Sequence, residues 1–170
     1  MTSEDEYLGI CTACTTNQHC CTQLSELRLT KDEFKEQFKN HEEELLVRQS
    51  NKSFIVSPKE GRACPHCEKG VCRIYQDRPI DCRLYPYMMT RVYEKRNNVK
   101  IEFITSTICP EKDRMFKLLS ETDAGALVME FGKKVYGEDK TINAQFGEGL
   151  VSRLRNRIDG IEASIRFRLK

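Results

Sequence analysis

The chain has 170 residues, 28 of them basic and 26 acidic for a formal net charge of +2, with 39% hydrophobic residues and nine cysteines. That length fits one compact domain able to bury roughly two-thirds of its unfolded surface without staples, so the cysteines need another explanation than stability. The first six residues are acidic in character and no run of about 18 apolar residues occurs. Neither a membrane span nor a signal peptide is expected, and the cytoplasm is the expected compartment. Thiols stay reduced there and nine is an odd number, which favours metal or catalytic roles over a disulfide framework.

In chain order, Cys11, Cys14, Cys20 and Cys21 come first. Thr30 followed by Glu33 is a capping box, and a helix over residues 30–48 should follow, with Phe34, Phe38 and Leu45 on its apolar face. Phe54, Ile55 and Val56 read as a short strand ended by Pro58 and Gly61. A loop region punctuated by Cys64, Cys67, Cys72 and Cys82 has no clear period, so ligation would have to order it. Pro79 suits the first turn of a short helix carrying Cys82, with Pro86 ending it.

Residues 87–93 and 99–105 flank the polar turn Lys95, Arg96, Asn97, Asn98 and read as a hairpin, with Val99, Ile101 and Phe103 on one face. After Cys109 and Pro110, Met115, Phe116, Leu118, Leu119, Leu127, Val128 and Phe131 predict two helical stretches covering the sheet, with Gly125 as the break between them. Ile161, Ala163, Ile165, Phe167 and Leu169 alternate with Glu162, Ser164, Arg166 and Arg168 as in a half-buried strand. The competing reading of this tail is a basic surface for nucleic acid or anionic lipid, drawing on Arg153, Arg155, Arg157, Arg166, Arg168 and Lys170. Nucleic acid is not the expected partner, because the overall charge is small and only the tail is basic.

The expected fold is therefore α+β: a small single domain with short antiparallel strands, several helices and cysteine-rich metal-binding loops. Residues 1–110 form the cysteine-cluster core, and residues 111–170 a helical extension ending in a strand and packed on the same domain.

A C-x-x-C pair lets one tight turn aim two sulfurs at one metal while backbone amides point at the thiolates. Cys11/Cys14 and Cys64/Cys67 are two such pairs, but 49 residues separate them, against about 15–20 in a zinc ribbon. The run Cys64, Pro65, His66, Cys67, Glu68, Lys69, Gly70 resembles a metal knuckle, with Gly70 suited to the positive φ of its turn. Packing as a small buried hydrophobe is the alternative for any single cysteine, and for Cys67 above all. His66 sits between two cysteines and could ligate, although a lone histidine such as His19, His41 or His66 is usually a surface or packing residue.

Cys11, Cys14, Cys20 and Cys21, the Thr30 helix, then Cys64, Cys72, Ile74, Tyr75, Arg78, Pro79, Cys82, Arg83, Tyr85, Pro86 and later Cys109, Pro110 together resemble a known family. This is the zinc- or iron-chelating C-x-x-C-x-x-C-C family, which comprises the YkgJ-type cysteine-cluster proteins and, among larger members, the flagellin lysine N-methylases. The resemblance covers about residues 11–110 and implies that Cys11, Cys14, Cys20, Cys21, Cys64, Cys72, Cys82 and Cys109 bind metal. The chain departs from the pattern in two places: five residues separate Cys14 from Cys20, and Cys67 is an extra thiol.

A sulfur-rich, histidine-poor donor set favours an iron–sulfur cluster over zinc, with Arg78 and Arg83 placed beside Cys82 to stabilise the cluster's negative charge. Tyr75 and Tyr85 would shield the site or pack the core. Three functions are expected from this: a redox or cluster-dependent protein, a zinc-stabilised module engaging a protein partner, or, by the resemblance alone, a lysine N-methylase using S-adenosylmethionine. For the last, Gly147 and Gly149 are a weak pair and no glycine-rich loop follows a strand.

Overall fold

The computed structural model describes residues 19–147 except 23, 25, 51, 61, 107, 108 and 120. One helical turn, α1 (His19–Thr22), precedes β1 (Leu27–Leu29). Thr30 then opens a helix as its capping box predicts: Thr30 Oγ1 accepts the Glu33 N–H at 3.2 Å and the Glu33 carboxylate accepts the Thr30 N–H at 2.7 Å. This α2 (Lys31–Glu33) widens into a π turn over Phe34–Phe38 and tightens into a 3₁₀ turn over Lys39–Glu44. Phe34 and Phe38 are both buried.

The helix does not run to residue 48. From Leu45 the chain is a strand, β2 (Leu45–Ser50), paired antiparallel with β3 (Ser53–Pro58). Tertiary pairing decides the matter. β3 has β1 on one side, and only an extended chain can satisfy its other side. Extension also puts Leu45 and Val47 on one face, against Phe34, Phe38 and Val56, while Leu46 is exposed. The strand expected around Phe54, Ile55 and Val56 is thus the centre of a three-stranded sheet ordered β1-β3-β2.

A two-stranded hairpin, β4 (Cys67–Glu68) with β5 (Val71–Cys72), follows. Next comes α3 (Ile80–Arg83), with Pro79 as its N-cap residue rather than in the first turn. The expected hairpin is β6 (Tyr87–Lys95) with β7 (Asn98–Thr105), and Val99, Ile101 and Phe103 are buried together on its inner face. Its turn is Arg96–Asn97, with Arg96 at a φ of 52°.

Two helices cover that sheet, α4 (Lys112–Leu118) and α5 (Glu121–Tyr136). The break falls just after Leu119, where the backbone leaves helical angles, and not at Gly125, which lies inside α5. Gly125 costs about 1 kcal/mol of helix propensity, and burial of Ala124, Leu127, Val128 and Phe131 on the sheet outweighs it. A further strand, β8 (Thr141–Gly147), runs parallel to β7 and completes the order β6-β7-β8. Gly132 permits this approach, since a Cβ there would meet Ile142 side-chain carbons at 2.7 Å. Gly147 is the last residue of that strand. The fold is α+β. The alternating segment at residues 161–169 and the basic tail lie outside the described residues, and no described helix is long and apolar enough to cross a membrane.

The two sheets have separate cores, and α3 joins them. Ile80 and Leu84 enter the core of the second sheet with Phe131 and Val135, while Cys82 packs against the core of the first. Two acids hold α3 in place: Glu33 accepts the Ile80 N–H at 2.7 Å, and Asp81 accepts the Arg28 N–H of β1 at 2.8 Å.

Glu33→Ala removes the acceptor for both Thr30 N–H and Ile80 N–H, so it should destabilise the protein by about 2–4 kcal/mol in urea unfolding. Exposed Glu36→Ala should stay within about 0.5 kcal/mol. Equal effects of the two would refute this role for Glu33.

Candidate metal centre

Four of the expected thiols, joined by Cys67, lie in three stretches that the fold brings together: Cys21 at the end of α1, Cys64, Cys67 and Cys72 around the β4–β5 hairpin, and Cys82 on α3. The join between the first two is a backbone bond, Cys64 N–H donating to Cys21 C=O at 2.9 Å.

The hairpin closes through Lys69 and Gly70, both at positive φ (48° and 78°), the two-residue turn of a tightly twisted hairpin. It sets Cys67 and Cys72 directly opposite one another. Cys67 N–H bonds to Cys64 C=O, and Arg73 N–H to His66 C=O, each at 2.9 Å. Backbone amides then point at three sulfurs: His66 N–H at Cys64, Gly70 N–H at Cys67 and Ile74 N–H at Cys72. Amides so aimed stabilise thiolates and are the outer shell that tunes a sulfur-ligated metal.

The thiols share one electrostatic environment. Burial pushes Cys64 up to about 12, with Cys21, Cys72 and Cys67 adding to the rise and the His66 amide opposing it. Burial likewise raises Cys67 and Cys72; Cys21 adds to both, and Arg78 pulls Cys72 back down. Cys82 is pushed well above the ordinary thiol value by burial first, then by Asp81, Cys64, Cys21 and Cys72. Cys21 and Cys67 also meet through a hydrogen bond between their side chains.

Among the described residues no three His, Cys, Asp or Glu side chains already stand about one point as an ion would require. What is gathered is a donor set, five soft sulfurs with amides aimed at three of them, and its chemistry fits a thiolate-bound metal or cluster.

The other expected site residues are placed differently. Cys109 Sγ lies 3.5 Å from Met115 Sδ, and Tyr75, Tyr85 and Leu118 pack against the same methionine. Cys20 is in α1, while Cys11 and Cys14 fall outside the described residues. Arg78 stacks its guanidinium 4.0 Å above the Tyr75 ring and lies within electrostatic reach of Cys72. Arg83 lies instead within reach of Lys134 of α5. Tyr85 shares a hydrogen bond with Ser106 at 3.1 Å.

His66 is a packing residue. It is buried, its Nε2 is 2.9 Å from Gln37 C=O, and its ring meets Phe38 and His41 edge-on. Burial holds its imidazole below the ordinary value, in the neutral form. Asp81 was not foreseen: burial pushes its carboxyl up to about 7, against the pull of the Arg28 amide and charge.

No family model, curated protein or solved structure matches the chain.

The turn that sets Cys67 against Cys72 makes its own prediction. Lys69→Asn suits left-handed backbone better than lysine and should stabilise the protein by up to about 1 kcal/mol, whereas Gly70→Val should cost about 1–2 kcal/mol. Thermal unfolding of both variants checks this, and a Gly70→Val protein as stable as the parent would refute the turn.

Proposed function

We propose that the chain is a metal-binding cysteine-cluster protein of the YkgJ type that holds an iron–sulfur cluster and uses it in a redox or cluster-dependent role in a reducing, cytoplasmic setting. The observation that carries this reading is the convergence of Cys21, Cys64, Cys67, Cys72 and Cys82, with backbone amides aimed at three of the sulfurs. Thiolate-only donors suit clusters. The two described imidazoles near this region, His41 and His66, are engaged with Glu44 and Gln37. Amides directed at sulfur, together with the Arg78 charge beside Cys72, lower the cost of adding an electron to a cluster held there.

Zinc is the second reading, favoured by the tight turn between Cys67 and Cys72, which is the form of a structural knuckle. Metal would then serve folding and a protein partner rather than electron transfer. Lysine N-methylation with S-adenosylmethionine rests on the family resemblance alone, and titration with that cofactor tests it.

Protein purified without oxygen should contain iron and acid-labile sulfide and absorb broadly near 400 nm, the region of sulfur-to-iron charge transfer. Colourless protein with stoichiometric zinc and no sulfide would replace the cluster with the zinc reading, and protein free of both metals would refute each. Cys82→Ser should bind substantially less metal, read by elemental analysis; an unchanged metal content removes Cys82 from the ligand set.

A further inference from the structure

We infer that Cys67, which the family pattern leaves out, is a metal ligand, and that the short hairpin makes Cys64, Cys67 and Cys72 three donors of one site closed by Cys21. The inference rests on the reading of the chain as a metal-binding protein and extends it by one residue that the family resemblance leaves out.

Three placements carry it. Cys67 and Cys72 are register partners across a two-residue turn, so their side chains leave the same face of the hairpin. Cys67 is also tied back to Cys64 through its own N–H, the geometry that lets a C-x-x-C pair aim two sulfurs at one point. Finally, the Cys67 sulfur takes the Gly70 amide as Cys64 takes that of His66 and Cys72 that of Ile74, so Cys67 has the same outer-shell support as the two cysteines the family pattern includes. The hydrogen bond between Cys67 and Cys21, and the backbone bond from Cys64 to Cys21, bring in the fourth sulfur.

A cysteine serving only as a packing residue would lie in an apolar contact. Cys67 is instead half-buried, on a hairpin whose neighbouring Val71 is exposed, and it belongs to none of the core clusters.

Cobalt(II) titration of the full chain tests this, because sulfur-to-cobalt charge transfer scales with the number of thiolates bound. In Cys67→Ser the band per bound ion should fall by about a quarter and affinity by at least about tenfold, and Cys67→His should recover affinity with the weaker sulfur band. Circular dichroism establishes that the variants fold. The unsubstituted protein supplies an independent measurement: alkylation of Cys67, followed by mass spectrometry, should slow at least about tenfold when cobalt is bound. Full band and affinity in Cys67→Ser, or alkylation of Cys67 unaffected by metal while Cys64 and Cys72 become protected, would overturn the inference and leave the metal-binding reading intact. A parent protein that binds neither cobalt nor iron would overturn both.

Discussion

One carboxylate holds the architecture at its narrowest point. Glu33 uses one oxygen on Thr30 N–H, which starts α2, and the other on Ile80 N–H, which starts α3 47 positions away. A four-residue helix has no stability of its own, since nucleation costs more than a single turn returns. The position of α3 therefore comes from Glu33, from Asp81 on the Arg28 amide, and from Ile80 and Leu84 in the second core. Cys82 inherits that position. A residue chosen for helix capping thus also fixes where the most strongly perturbed thiol stands.

The thiols of this region carry one shared electrostatic cost. Each of Cys64, Cys67, Cys72 and Cys82 resists ionisation because burial removes water, and each is penalised further by the charge its neighbours would carry. Amides from His66, Gly70 and Ile74 favour the opposite state. Arrangements that oppose burial with aimed donors are unfavourable as a set of bare thiolates and become favourable once a metal supplies positive charge. The same logic places Arg78, whose guanidinium rests on Tyr75 and reaches Cys72 electrostatically.

Local signals in the sequence were reliable where the chain satisfies itself nearby. The Thr30–Glu33 capping box, the hairpin around Arg96, the inner face of Val99, Ile101 and Phe103, and the helix carrying Cys82 all need only neighbours a few residues away. What escaped was decided by distant partners. Leu45 and Val47 satisfy a helical pattern and a strand pattern equally well, and β3 chooses between them. β8 has few strong strand formers besides Ile142 and Phe146, and its parallel place beside β7 depends on the missing side chain at Gly132. At the site, family spacing pointed to Cys64, Cys72 and Cys82. Cys67 is surplus only to that family pattern; its C-x-x-C spacing links it to Cys64, and its pairing with Cys72 across the Lys69–Gly70 turn appears only in the fold.

That hairpin also limits how the centre can form. Two residues per strand are too few to be stable alone, Val71 is exposed, and little apolar area anchors the tip. Its supports are the His66 ring against Phe38 and His41, the Cys64 bond to Cys21, and the Arg73 bond to His66. Phe38 belongs to the first core, so the hairpin is held at its base and unsupported at its turn, with Cys67 and Cys72 between. Bridging those two sulfurs to Cys64 and Cys21 would close the piece of structure with the least packing to hold it. For a metal bound there, as proposed, affinity and the order of this hairpin would be one free energy seen from two sides.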